Sequence, residues 1–387
     1  MSCLYKLAAL FALVFFSATT TWATPGVNEL TQQIATECQN LIFAAMLNPT
    51  LESQIESECP VNNAGSQITT VETSRQQITL ITSTLSNAIL NAFLGRTGGR
   101  SVAGNFYHEG RTGLNAGELL GNIGVWGSFN YNNLDDEFLN TRYDSTTRSF
   151  LVGADTQPME NMIAGLAFGY EDSDVDTLFN SGEQDRDGFT VAGYLGYLIN
   201  DYFSIDVSAG YSGVDIDQFR TATGIDPNFA AGSRVNSEVD ADRLFIAGNL
   251  NGFWSYNNWI LMAQAGYLRA EEDHDSYTET SGVTSVVVPS RDFDLGQWHV
   301  GANVAYDYRS FLEPYFSVSY LNEDTRERVV AAPGQVQPDN DDDEVLFTLG
   351  MRYFGTQGIT GDIQYNISSG REDIDNSNLM LLIRAEL

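Results

Sequence analysis

From residue 121 onward, apolar and polar side chains alternate with a period of two. Phe203, Ile205, Val207, Ala209 and Tyr211 alternate with Ser204, Asp206, Ser208, Gly210 and Ser212. Trp298, Val300, Ala302, Val304 and Tyr306 alternate with His299, Gly301, Asn303, Ala305 and Asp307. The stretches 345–353 and 359–368 repeat the rule. Successive side chains of an extended strand point to opposite faces, so each stretch carries one apolar row. Twelve candidate strands follow this pattern. Each row is long enough for the roughly 9 to 11 residues of a tilted membrane strand, and aromatics gather toward row ends as in interfacial girdles. The last nine residues place Leu379, Leu381, Ile383, Ala385 and Leu387 on one face, with Arg384 and Glu386 on the other. Ending in a free carboxylate, they read as the closing strand of a barrel.

The links between strands alternate in length. Short turns are predicted at 157–160, 200–201, 256–258, 309–310 and 355–358. Longer acidic links are predicted near 132–145, 172–185, 216–236, 273–290 and 326–342, with a shorter one near 371–376. Membrane barrels of the bacterial outer membrane have short periplasmic turns and longer extracellular loops. Both barrel ends would then face the periplasm. The pattern predicts an all-β membrane protein, a 12-stranded antiparallel transmembrane β-barrel over residues 121–387.

Upstream the period changes to three or four. Ile68, Val71, Ile78, Ile81, Leu85, Ile89 and Phe93 recur at helical spacing, opposite a face of Thr, Ser, Gln and Asn. A helix over 66–95 with so few charges suits a polar, partly enclosed channel better than open water. Residues 24–65 hold a shorter helical pattern, and 96–120 form a Gly-rich link. Residues 1–23 read as a cleavable export signal: Lys6, an apolar core from Leu7 to Phe16, and small residues around Ala23.

Composition narrows the function classes. The formal charge is −32, from 51 acidic and 19 basic residues, and Lys6 is the only lysine. A basic nucleic-acid surface is excluded, as are lysine Schiff-base and P-loop chemistry in the mature chain. Cys38 and Cys59 remain after signal removal and read as one disulfide in an oxidising compartment, contributing about 3 kcal/mol by loop entropy.

Three further features carry weight. The strand Gly121–Phe129, the hairpin Phe150–Asp155 to Ala164–Tyr170, and the Gly-Tyr dipeptides at 193–194, 210–211 and 266–267 occur in this order before the alternating C-terminal strand. Together they resemble the β-domain of the autotransporter (type V secretion) family, in a short-passenger form. The resemblance implies a twelve-stranded barrel with a pore helix joining it to an exported passenger, here matched by 66–95. It also implies that Leu379, Leu381, Ile383, Ala385 and Leu387 form the signal strand read by the barrel-assembly machinery. The family usually ends in Phe, where this chain has Leu387, and only about 40 residues, 24–65, precede the helix as passenger.

Candidate chemistry is sparse. Glu271-Glu272-Asp273-His274-Asp275 could seat a His–Asp pair at the rim and activate water; a lone histidine among acids is more often solvated. Asn62-Asn63 could support an autocatalytic cut. Asp339, Asp341, Asp343 and Glu344 offer oxygens to Ca²⁺ but lack the Gly of an EF-hand loop. Asp206, His299, Asp307, Glu313, Arg352 and Asp362 are expected to face the lumen. The resulting expectation is a non-enzymatic, monomeric outer-membrane autotransporter-like barrel. It would translocate or display, need no cofactor, and contact outer-membrane lipid and lipopolysaccharide. The alternatives are a porin-like channel with acidic extracellular loops and a rim hydrolase around His274.

Overall fold

The computed structural model describes residues 62–96, 123–137, 142–178, 180–222, 226, 228–308, 311–325, 341–355 and 358–387. Among the described residues, one helix, α1 (Asn62–Arg96), precedes fourteen strands. They are β1 (Ile123–Asp136), β2 (Tyr143–Met159), β3 (Met162–Thr177), β4 (Gly182–Asn200), β5 (Phe203–Thr221), β6 (Arg234–Tyr256) and β7 (Trp259–His274). A small hairpin, β8 (Tyr277–Ser281) and β9 (Thr284–Val288), follows. The chain then runs through β10 (Arg291–Tyr306), β11 (Leu312–Thr325), β12 (Asp343–Phe354), β13 (Ile359–Ser369) and β14 (Ile374–Glu386).

Every barrel strand is antiparallel to its neighbours. The pairing runs β5-β4-β3-β2-β1-β14-β13-β12-β11-β10-β7-β6 and returns from β6 to β5, so the sheet closes. Twelve strands form the wall. The extra hairpin continues the sheet beside the upper part of β6, through the pairing of Asn236 with Thr280. Closure leaves no unpaired strand edge to be solvated in hydrocarbon.

The period-two rows become the two faces of the wall. Outward lie Phe150, Leu166, Phe168, Phe189, Val191, Ile246, Leu349 and Ile383, all exposed. Rings cap this belt at both margins. Phe203–Trp254, Trp259–Tyr306 and Phe311–Tyr353 pair at the turn end. Phe129–Phe150, Tyr170–Phe189 and Trp298–Tyr320 pair toward the loop end. The loop-end tyrosines mark where lipid gives way to charge, because Tyr170 donates to Asp187 at 2.5 Å and Tyr211 donates to Asp242.

The acidic links differ from expectation. Much of 172–185 and 216–236 is strand, and β6 runs for 23 residues, about twice what the bilayer requires. The wall therefore continues past the belt as a collar of outward carboxylates. Asp185 faces Asp217, Asp187 faces Asp215, Asp215 faces Asp240, and Asp242 faces Asp273. Like charges set directly opposite disfavour pairing. Hydrogen bonding along the ladder and inward side chains hold these strands together. Arg148 offsets Asp172 and Asp174 at 3.0 Å each, and Arg269 offsets Asp294 at 2.7 Å. Arg220 fastens the β8–β9 hairpin by a fork to Glu279 at 3.0 and 2.8 Å, and holds Asp226 at 2.7 Å. Burial alone would raise the Asp226 carboxyl, but backbone N–H groups of Asn228 and Phe229, together with Arg220, hold it below the usual range.

The helix begins at Asn62 rather than 66, so Asn62 and Asn63 lie in its first turn and not in a loop. Cys38, Cys59, Asp339, His108, the turn 309–310 and the signal segment lie outside the described residues.

The lipid-facing assignment gives a direct test. Leu349→Arg, in the middle of the outward row of β12, should destabilise the barrel by about 2 to 4 kcal/mol in urea unfolding from lipid vesicles. Asp174→Arg, on the collar, should change stability far less. Equal effects at the two positions would contradict the placement of the belt.

Candidate functional site: the plugged lumen

The helix lies inside the barrel. Glu72 through Ile78, Leu80–Thr82, Thr84, Leu85, Ala88, Ile89 and 91–94 are buried, which covers nearly its whole circumference. A helix with Thr, Ser, Gln and Asn buried on all sides needs polar partners as well as apolar ones. The barrel supplies both, in three layers.

In the middle, Ile78, Ile81, Leu85 and Ile89 pack against inward Leu151, Ile163, Ala192, Phe245, Met380 and Leu382. These inward apolar residues belong to strands that sequence alternation alone would line with polar groups. Gly196 permits the contact, because a Cβ there would strike Ile89 and Phe93. At the turn end, Leu94 joins Phe253, Ile260, Met262, Tyr315 and Phe354.

At the loop end, charge takes over. Arg75 meets Glu72 at 2.5 Å, Glu323 at 3.0 Å and Glu344 at 3.2 Å. Arg371 reaches Glu323 at 2.6 Å and Glu72 at 3.1 Å, so two guanidinium groups share three carboxylates. Beside them Arg243 holds Glu272 at 2.7 Å and Glu171 at 3.2 Å. The helix enters this second cluster through Ser74, which donates to Glu272 at 2.7 Å and accepts from Arg186 at 2.9 Å. Arg186 also donates to Thr73. The helix end near residue 72 is thus held at the loop end, and Leu94 sits at the turn end. The N-terminus of the helix points toward the loop end of the barrel.

The fit is eccentric. The helix backbone runs nearest β1–β6, β13 and β14, and reaches β10 and β11 mainly at its two ends, through Arg75 to Glu323 and Leu94 to Tyr315. Ser83 is exposed, and Thr79, Ser86, Asn87 and Leu90, on the same face, are only half-buried. Across from them, inward His299, Asn303, Ser317 and Ser319 are half-buried as well. A water-accessible polar crescent therefore runs beside the helix. Ser86 closes one margin by accepting from Asn249 and Gln264, each at 3.3 Å.

The sequence-predicted lumenal residues can now be placed. Asp206, Glu313, Arg352 and Asp362 point inward but are sealed, each 2 to 3 % exposed. Asp206 accepts from Asn249 at 2.6 Å and Asn251 at 2.7 Å. Arg352 pairs with Glu313 at 2.6 Å, while Asp362 accepts from Tyr315 at 2.9 Å and Asn91 at 3.3 Å. They are packing partners and do not line an open channel. His299 lies on the crescent wall, and Asp307 follows β10 at the turn-end rim. Outward Leu379, Leu381 and Ile383 are exposed, as the closing strand requires.

His274 points inward and meets Glu272 at 2.7 Å, while Asp273 and Asp275 are exposed on the other side. No His–Asp pair forms there. Ser74 donates to Glu272 and not to the imidazole. Of the Ca²⁺ candidates, Asp339 lies outside the described residues, Asp343 is exposed, and Glu344 turns inward to Arg75, so Asp343 and Glu344 do not share a face. Adjacent strand residues cannot converge on one ion. Among the described residues, no group of three or more His, Cys, Asp or Glu side chains is arranged to hold a metal.

Sequence reasoning missed the residues that matter most here: Glu72, Arg75, Glu171, Arg186, Arg243, Glu272, Glu323 and Arg371. One signal was present. Glu72 and Arg75 are the only charged residues between 66 and 94.

Comparison with known proteins agrees with this geometry. A family model for the autotransporter beta-domain matches residues 125–366. Among solved structures, the translocator domain of the autotransporter NalP from Neisseria meningitidis superposes with a TM-score of 0.58 at 12% identity, covering 68% of this chain and 88% of that one. The beta domain of the Bordetella autotransporter BrkA gives 0.54 at 16% identity, covering 68% of this chain and 98% of that one. At these identities the likeness is one of fold. A search of curated proteins finds no match. With the family matched across most of its length, this chain belongs to the autotransporter β-domain family, as an outer-membrane barrel.

Proposed function

We propose that this barrel works as a non-enzymatic translocator and display domain whose cargo is the short segment ahead of the helix. The observation that carries the reading is the direction of the helix. Its N-terminal half runs toward the long loops, with Ser74 and Arg75 fixed at the loop end, so the chain would leave the lumen on that side. In an outer-membrane barrel that side is extracellular. Residues 24–61 would then be held at the cell surface, after export directed by residues 1–23.

Partners follow from the two outer zones. The signal strand β14 would be handled by the barrel-assembly machinery. The apolar belt meets lipid. The carboxylate collar stands level with the headgroups of the outer leaflet, where divalent cations could bridge its acids to the phosphates of lipopolysaccharide. The chain would act alone, since a closed barrel offers no edge to a second copy.

A porin-like reading has one specific support, the polar crescent beside the helix. It is bounded by a plug locked through buried ion pairs, so leakage should be small.

Protease shaving tests the display reading. An epitope inserted after Pro49 should be removed from intact cells. Protection in intact cells, with cleavage only after lysis, would refute it.

Planar-bilayer recordings test the plug. The whole protein should conduct weakly, and deletion of 24–95 should open a large conductance. Arg75→Ala should move the whole protein toward the open level, because breaking a buried pair and stranding its carboxylates costs about 3 to 5 kcal/mol. Equal conductance in all three proteins would count against the plug.

Chelation tests the collar. EDTA should lower the melting temperature in vesicles containing lipopolysaccharide and leave it unchanged in phosphatidylcholine. The same response in both lipids would remove lipopolysaccharide as the partner.

A further inference from the structure

The seam between β1 and β14 differs from every other joint in the wall. All other neighbouring barrel strands follow one another along the chain and are linked through a connection that helps set their register. β1 and β14 stand at opposite ends of the barrel sequence, so no turn aligns them. Their pairing nevertheless runs without a break from Gly124 opposite Glu386 to Asp136 opposite Ile374.

Lipid cannot supply the alignment. A slip of one residue would turn Leu379, Leu381 and Ile383 inward, and burial forbids it. A slip of two keeps every outward residue outward. Leu, Leu, Ile and Ala then simply replace one another against the same hydrocarbon. The belt is almost degenerate to this error, so the register has to be read on the lumenal side.

Arg384 is placed to read it. It stands opposite Trp126 on β1, yet its side chain leans over Gly124 to β2 and grips Asp155. Both bonds are 2.6 Å, Nη1 to Oδ2 and Nη2 to Oδ1, a bidentate fork. Glu386 accepts from Nε at 2.8 Å and fixes the direction of the lean. Three strands are spanned by one side chain.

The crossing exists because residue 124 has no side chain. The guanidinium of Arg384 occupies the place that a Cβ there would take. Asp155 is aimed from the far side as well. Tyr194 of β4 donates to it at 2.9 Å, passing over Gly165 of β3, where a Cβ would strike the phenol. Trp126 donates to the Tyr194 hydroxyl at 2.7 Å. Arg384 is 1 % exposed and Asp155 4 %. A charge left unpaired at this depth is strongly disfavoured.

We propose that Arg384 and Asp155 form a register clasp that selects the correct closure of the barrel against slips of two residues. With the lean kept, either slip moves the fork about 7 Å along the seam, past Asp155 in one direction and short of it in the other. The carboxylate and the guanidinium are then buried apart. A planar fork discriminates sharply because both of its bonds must form together.

Cysteine pairs across the seam test the clasp in the whole protein assembled in the membrane. Val125 with Ala385 reports the native register. Val125 with Ile383, and Val125 with Leu387, report the two slips. After oxidation, linked peptides are identified by mass spectrometry. With Arg384 intact, only the native pair should link. Arg384→Ala should raise slipped links about tenfold or more, as expected for losing charge-assisted bonds in a buried site. If Arg384→Ala yields no folded barrel, Arg384→Lys decides the matter, because it keeps the charge and loses the fork. Slipped links in the lysine variant support the clasp. Exclusive native linking in whichever variant folds would overturn it, and would leave Arg384 with a role in stability alone.

Discussion

Hydrocarbon offers no partner to a backbone N–H or C=O, and the architecture follows from that constraint. A sheet that crosses the bilayer must close. Closure joins β1 to β14 and fixes the lumen that the helix fills. It also decides which residues meet across the interior. Glu323, Glu344 and Arg371 come from the last third of the chain, yet they converge on Arg75 in the helix. Nothing local brings them together; the circumference does.

The lumen is not uniformly wet. Leu151, Ile163, Phe245, Met380 and Leu382 make one side of the inner wall apolar, and the helix lays its Ile and Leu stripe against it. The opposite wall, along β10 and β11, keeps Ser317, Ser319, Asn303 and His299 half-buried. The eccentric seat of the helix is the mechanical result. It satisfies the apolar stripe on one side and leaves Ser83 in contact with water on the other.

What could be read from the sequence was whatever lipid imposes. Outward rows such as Phe347, Leu349, Met351 and Tyr353 face a single apolar solvent, so their period of two survives in the letters. The helix and the fold family were legible for the same reason, as repeated local patterns. Inward residues answer to partners many strands away. Glu272 and Asp273 look alike in an acidic run, yet one sits between Arg243 and His274 and the other faces water. Parity separates them only once the strand is known to continue that far. The acidic links were read as loops because charge suggests solvent, and the collar is solvated. Its strands persist because their inward faces are tied, as Thr147 is to Ser173 at 2.7 Å and Gln184 to Gln218 at 3.0 Å.

Repetition that specifies the fold cannot by itself specify position. The helical stripe of Ile78, Ile81, Leu85 and Ile89 repeats every three or four residues. A slide by one turn, about 5.4 Å, would bring one aliphatic side chain where another had been. Apolar contact penalises such a slide weakly. Buried charge penalises it strongly, because Arg75 would leave Glu323 and Glu344 while Ser74 left Glu272. Ion pairs of this kind add little net stability over an apolar filling, since desolvation consumes most of their attraction. What they contribute is a single depth for the helix. The barrel is built from degenerate apolar surfaces, and it takes its alignment from the few charged groups that it buries.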